Sequence, residues 1–188
     1  MEKGVQEVLK KDQHTIEGIV YGPVASWRLG RSLGIDLIST PGKTCSFDCL
    51  YCQLGRTTRP LVERREFVPL ARLASELERI GPVKADYASF SGVGEPTLAS
   101  NLGQAMEQVR SALRLPVAVF TNASLMPLAE VRHELARADL VLVKLDAPSD
   151  DIFRLVNRPT TPYSLHEILE GIRLFGSQYE GKLALQMM

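Results

Sequence analysis

Cys45, Cys49 and Cys52 are the only cysteines in the chain, and all three fall in the run Cys45-Ser-Phe-Asp-Cys49-Leu-Tyr-Cys52. Thiolates this close in sequence can converge on one metal centre. Four ligands normally saturate a 4Fe–4S cluster or a structural zinc. With three thiolates one iron of a cluster stays open, and an open iron can bind a ligand and do chemistry. Zinc would need a fourth ligand, and His14, His133 and His166 are scattered without ligand-like spacing. An odd cysteine count with no export signal disfavours a disulfide. Thiols packed as small apolar groups are the remaining alternative, against which Ser46, Asp48 and Tyr51 make the stretch a polar loop rather than a core strand.

The elements that must position this loop are legible around it. From Ile16 to Ile38 the chain reads as strand, Gly-rich turn and strand, with Ile35-Asp-Leu-Ile38 the clearest piece and the cysteine loop following Pro41-Gly42. Residues 57–67 are polar and basic and are expected as a surface excursion. A regular alternation then begins. Leu70, Leu73, Leu77 and Ile80 share one helical face, between Pro69 and the stop Gly81-Pro82. Apolar strands at Tyr87–Phe90, Val117–Phe120 and Leu140–Leu145 are separated by amphipathic helices marked by Met106 and Val109, then by Val131 and Leu135. A fourth helix carries Leu165, Ile168, Ile172 and Phe175, with a capping box at Ser164 and Glu167 and Gly176 as expected C-cap. Leu183–Met188 begins a fifth strand. Strands alternating with helices predict an α/β fold, a parallel sheet with helical crossovers.

The chain has 188 residues, 45% hydrophobic and 23% charged, the balance of a soluble globular domain able to bury its own core. We expect a charged N-terminal extension over residues 1–15, frayed or briefly helical, and one domain over residues 16–188. The formal net charge of zero speaks against an extended nucleic-acid-binding field, though not against a local basic patch. No apolar run is long enough to cross a bilayer, and the charged N-terminus lacks the apolar core of a signal peptide. Free thiols and no export signal predict a cytoplasmic location.

The spacing C-x3-C-x2-C, with Tyr51 before the last cysteine, resembles the radical S-adenosylmethionine (SAM) superfamily. The resemblance implies a 4Fe–4S cluster on Cys45, Cys49 and Cys52, with the fourth iron chelating the amino and carboxylate groups of SAM. One electron then breaks the S–C5′ bond and yields a 5′-deoxyadenosyl radical that takes hydrogen from a substrate. The protein orients and shields, and an electron donor such as flavodoxin or ferredoxin supplies the electron. The implied fold is a partial (βα) barrel with the cluster loop after its first strand. Family members usually have six units, so a chain stopping at the fifth strand is expected to be truncated, with an unpaired edge and an uncovered apolar face.

A second constellation, Ser91-Gly-Val-Gly-Glu-Pro96, closes the second strand. Gly92 and Gly94 allow close approach to the backbone, and Glu95 supplies a carboxylate acceptor. Read alone, it is equally a tight strand-to-helix turn. By resemblance it stands where a Gly-Gly-Glu-Pro segment, ending here in Pro96, binds the SAM amino group; Val93 replaces the first of the two adjacent glycines. The resemblance further implies SAM contacts at other strand ends: Asn122, Lys144 for a carboxylate, Asp146 for ribose hydroxyls, and Tyr51 against adenine. Gln186 is a similar candidate on the fifth strand.

Tyr21–Val24, Arg28–Gly34, Cys52–Gly55, Lys144–Pro148 and Asn157-Arg-Pro159 resemble the branch related to the wyosine tRNA synthases. That similarity implies tRNA as a substrate. Arg28, Arg31, Lys43, Arg56 and Arg59 outnumber Asp36 and Asp48 between residues 21 and 60, an excess that suits phosphates or a solvated surface. The tRNA-modifying enzymes carry cysteines for a second cluster, and this chain has none to spare. Arg158 is a candidate for a substrate carboxylate or phosphate, or a surface salt bridge. A nucleic-acid-binding module with a degenerate cluster and a zinc-stapled structural domain are the alternative readings.

Overall fold

A computed structural model describes residues 18–187 of the chain; the expected extension at residues 1–15 lies outside them. β1 (Val20–Ser26) and β2 (Gly30–Ile35) form an antiparallel hairpin. The cysteine loop follows, carrying two short parallel strands, β3 (Thr44–Cys45) and β4 (Arg59–Pro60). Then come α1 (Leu70–Ile80), β5 (Tyr87–Phe90), α2 (Leu102–Leu113) and β6 (Val117–Thr121). The chain continues through α3 (Ala129–Leu135), β7 (Leu140–Lys144), α4 (Asp150–Val156), α5 (Leu165–Gln178) and β8 (Lys182–Gln186). The main sheet has the order β1-β2-β5-β6-β7-β8 and is parallel except for the β1–β2 pair.

Strand periodicity sorts the core into two faces. Leu33, Ile35, Ala88, Phe90, Val117, Val119, Val141 and Val143 face the helices and are buried with Leu73, Leu77, Met106, Val109, Val131, Leu135, Ile168 and Ile172. The alternate residues face the other way. There Leu29, Ala118 and Leu142 form a small second cluster with Tyr87, Phe120 and Ala184. This is the inner face of a partial barrel, and every parallel strand delivers its C-terminal end to the rim where the cysteine loop starts.

Four elements differ from the sequence expectation. β2 stops at Ile35, because the Asp36 carboxylate accepts from Ile38 N (2.9 Å) and Ser39 N (3.0 Å) and curls the chain out of the sheet. α5 runs past Gly176 to a C-cap at Tyr179; a Cβ at Gly176 would lie 3.2 Å from Leu183 Cδ2, so this glycine serves close packing. α4 is an additional short helix, capped by Ser149. Residues 57–67 are more than a surface excursion: Leu61 and Phe67 pack on the core, and Arg64 reaches the carbonyls of Thr97 (2.8 Å) and Ala99 (3.0 Å) and pairs with Glu134. The Ser164–Glu167 capping box forms as expected. β8 is an edge strand, with Leu185 and Met187 exposed beside it.

Candidate metal centre

Lys43, Thr44, Cys45, Ser46 and Phe47 are buried as the cysteine loop leaves the sheet. On one side the loop is laced to the Gly92–Glu95 segment: Thr44 N donates to Val93 O (3.0 Å), and Glu95 N donates to Thr44 O (3.2 Å). A Cβ on Gly94 would fall 1.8 Å from Thr44 O. Gly92 has φ +138° and faces Asp36, whose second carboxylate oxygen accepts from Val93 N at 3.2 Å. The two glycines thus admit the protein's own Thr44 and Asp36. Glu95 is buried and accepts from Thr97 N (3.1 Å), Thr97 Oγ1 (2.7 Å), Thr121 Oγ1 (2.7 Å) and Asn122 N (2.7 Å). Burial pushes its carboxyl above the ordinary range, against the downward pull of those donors. Its side chain therefore fastens the β5 turn to the end of β6. Pro96 is buried beside it and opens the 3-10 turn Pro96–Leu98.

The opposite side of the loop is held by residues far away in sequence. Asp48 N donates to Asn157 O (3.0 Å), Leu50 N to Val156 O (2.9 Å), and Thr160 N and Oγ1 to Ser46 O (both 2.9 Å). Phe47 sits edge-on to Phe153 of α4, ring centroids 5.2 Å apart. Arg158 takes a left-handed backbone (φ 47°), and its guanidinium lies 3.8 Å from Asp48. Asp48 also accepts from Thr57 N (2.7 Å) and pairs with Arg56 (2.8 Å). Ser39, Ala123 and Arg158, three non-glycine residues with positive φ, all lie around this loop. Strain of this kind gathers where surrounding structure over-determines a site.

All three cysteines are free; Cys45 is buried, and Cys49 and Cys52 are half-buried. Amide donors aim at two of the sulfurs. Asn122 Nδ2 lies 3.5 Å and Phe47 N 3.5 Å from Cys45 Sγ, and Asn157 Nδ2 lies 3.4 Å from Cys49 Sγ. Such donors suit sulfur that carries negative charge. Burial, and then the Glu95 carboxylate, push the Cys45 thiol up to about 12, so only a metal would deprotonate it near neutral pH. Among the described residues no three His, Cys, Asp or Glu side chains are gathered to hold one metal ion. One tetrahedral ion would need its thiolates about 3.8 Å apart, given Zn–S bonds of about 2.3 Å. A 4Fe–4S cluster takes each thiolate on a different iron and so holds the thiolates farther apart than one ion does. The donor set fits an iron–sulfur cluster.

The remaining candidates converge on Tyr51. Lys144 Nζ stands 4.0 Å over its ring, and its hydroxyl bonds the Asp146 carboxylate and accepts from Asn157 Nδ2 at 3.1 Å. Burial, followed by the hydrogen bond to Asp146, raises the phenol and keeps it protonated. Asn122, Lys144, Asp146 and Asn157 line one cavity of about 10 Å³ with Phe47 and Phe153. A larger cavity, about 680 Å³, lies between the C-terminal ends of α1 and α2, at the other end of the strands from the cysteines. Gln186 pairs in register with Lys144 at the end of β8. The basic residues do not form one face. Arg28 lies in the turn between β1 and β2 and Arg31 at the start of β2, away from the cysteine loop, with Arg28 4.3 Å over the Trp27 ring. Lys43 is buried and donates to Gly55 O at 3.3 Å. His133 and His166 are exposed, apart from the site, and His14 lies outside the described residues. Sequence reasoning gave no role to Asn157, Ser46 or Thr160; only the Asn157-Arg-Pro159 segment stood out, and by similarity alone.

The chain is similar to known proteins in sequence and in fold. The model of the Radical SAM superfamily matches residues 39–182. A UPF0026 protein of Synechocystis sp. is 45% identical over 169 residues, which is 90% of this chain and 63% of that protein. A UPF0026 protein of Methanocaldococcus jannaschii is 44% identical over 174 residues, 90% of this chain and 53% of the relative. The chain therefore spans little more than half the length of these relatives. Among solved structures, anSMEcpe with bound AdoMet and a Cp18Cys peptide superposes with a TM-score of 0.58 at 22% identity, over 82% of this chain and 42% of that one. That likeness establishes the fold, a partial α/β sheet of the same type. No helix among the described residues is long and apolar enough to cross a membrane.

Proposed function

The chain belongs to the radical SAM superfamily, and from that premise we propose that it is the cluster- and SAM-binding part of a radical enzyme. Cys45, Cys49 and Cys52 would hold a 4Fe–4S cluster and leave one iron for SAM. When bound, that cluster supplies the electron that cleaves SAM reductively to a 5′-deoxyadenosyl radical. The observation that carries this reading is the double lacing of the cysteine loop, with amide donors trained on Cys45 and Cys49.

The chain's own residues have distinct tasks in this proposal. The Gly92–Gly94 backbone meets the amino group of SAM, while Glu95 and Pro96 fix that backbone to β6. Lys144 offers a cation to the SAM carboxylate, Asp146 an acceptor to the ribose hydroxyls, and Asn122 a further donor. Tyr51 stands against the adenine and gathers Lys144 and Asp146 before ligand arrives, which lowers the ordering cost of binding. The buried Phe47, Phe153 and Leu165 wall this rim from water. A cytoplasmic setting keeps the thiols reduced, and a flavodoxin- or ferredoxin-type donor supplies the electron.

The narrower tRNA reading, of the wyosine-synthase-related branch, draws its support from the Lys144–Pro148 and Asn157–Pro159 segments, both of which border the cysteine loop. Salt-sensitive tRNA binding is its check. For the main reading, the anaerobically reconstituted protein is assayed for iron, sulfide and 5′-deoxyadenosine release from SAM. We expect close to four irons per chain in the unaltered protein, as the assigned cluster type requires, and no 5′-deoxyadenosine from Cys45→Ala. Retained zinc and no SAM cleavage would contradict it.

A further inference from the structure

Asn157 has no place in the cysteine or glycine motifs, yet it is buried and touches both a candidate cluster ligand and the residue that gathers the SAM-side groups. Its Nδ2 lies 3.4 Å from Cys49 Sγ and 3.1 Å from Tyr51 Oη. The carboxamide nitrogen has two hydrogens to offer these two acceptors. Its backbone carbonyl meanwhile accepts from Asp48 N at 3.0 Å. The residue is held there by its burial and by the pairing of the neighbouring backbone to the cysteine loop. A neutral thiol accepts such a hydrogen bond weakly; sulfur bearing thiolate charge accepts it well.

We propose that Asn157 is a positioning residue that raises the reduction potential of the cluster through its N–H···S contact at Cys49, an inference that rests on the 4Fe–4S reading above. Adding one electron places more negative charge on the cluster sulfurs. A fixed donor at one of them stabilises the reduced state more than the oxidised one, and burial strengthens the difference. Hydrogen bonding around a metal ligand is an established lever on its electronics. Asn122 makes the corresponding approach to Cys45 from the end of β6, at 3.5 Å. The loop is thereby tuned from both of its laced sides.

The test is an EPR-monitored redox titration of the reconstituted protein, with mediators and dithionite as reductant. Asn157→Leu removes the donor and keeps the volume. At a fixed potential its ratio of reduced to oxidised cluster should fall about tenfold, a negative shift of about 59 mV for one electron. Thr160→Val loosens the same backbone pairing without touching sulfur and should titrate like the unaltered protein. Should Asn157→Leu fail to hold a cluster, Asn157→Ala, which also removes the amide donor and adds no charge, carries the same expectation. Pulsed EPR of the unaltered sequence labelled with ¹⁵N-asparagine should also show a nitrogen coupled to the reduced cluster that persists in Asn122→Ala. An unchanged potential in an intact Asn157 variant, an equal shift in Thr160→Val, or absence of the nitrogen coupling overturns the proposal. Failure of the underlying reading looks different: no cluster in the unaltered protein, or one that survives Cys49→Ala.

Discussion

The two segments that hold the cysteine loop, Gly92–Glu95 and Val156–Thr160, do the same job by opposite means. The first is backbone against backbone, at a distance that only glycine tolerates, and is anchored by one buried carboxylate that accepts four hydrogen bonds. The second reaches the loop from more than a hundred residues away, and adds an aromatic contact, a left-handed arginine and a side-chain amide on sulfur. The first side is stiff and intolerant of any added atom. The second depends on α4 being packed in place and can be weakened by degrees. A loop held in both ways is fixed by a close backbone fit on one side and by packing against α4 on the other.

That contrast can be broken on either side. The largest loss of stability is expected from Phe153→Ala, which empties the aromatic contact under the second side; about 3–5 kcal/mol is typical for such a truncation, measured by urea denaturation. Gly94→Ala should cost about 3 kcal/mol, the upper part of the range for overpacking, since the obstructing atom is backbone. It should also prevent iron loading, whereas Phe153→Ala should reduce loading only in proportion to the unfolded fraction. Glu95→Gln places an amide donor among existing donors and should cost about 2 kcal/mol. The smallest effect, about 1 kcal/mol, belongs to Thr160→Val, through the hydrogen bond to Ser46 O. Equal iron loading in Gly94→Ala and Thr160→Val would remove the distinction between the two sides.

The first side was largely legible in the sequence because its information is local. Cysteine spacing, glycines and a carboxylate within six residues carry a pattern whose physics can be stated beforehand. The reason attached to the glycines was incomplete: a ligand was expected to approach them, and the structure shows Thr44 and Asp36 already there. The alternating strands and helices were legible for the same reason, since burial on one face writes a period into the chain. The second side was not. Nothing in a window around Asn157 announces that its amide meets Cys49, because that contact is created by the path of the chain through α4. Asp36 misled the strand boundary likewise: Leu37 and Ile38 are apolar and buried, yet a side-chain turn takes them out of the sheet. Residues 57–67 looked solvated because their charges are conspicuous; Arg64 spends its charge on two carbonyls and Glu134.

On the proposed reading the three thiolates hold a cluster with one iron open to SAM. Low-temperature EPR of the dithionite-reduced, anaerobically reconstituted protein, with and without SAM, reads that open iron. The expected result is a 4Fe–4S signal whose line shape changes when SAM is added and which is absent from Cys45→Ala. A signal indifferent to SAM, or one that survives the loss of Cys45, would contradict it.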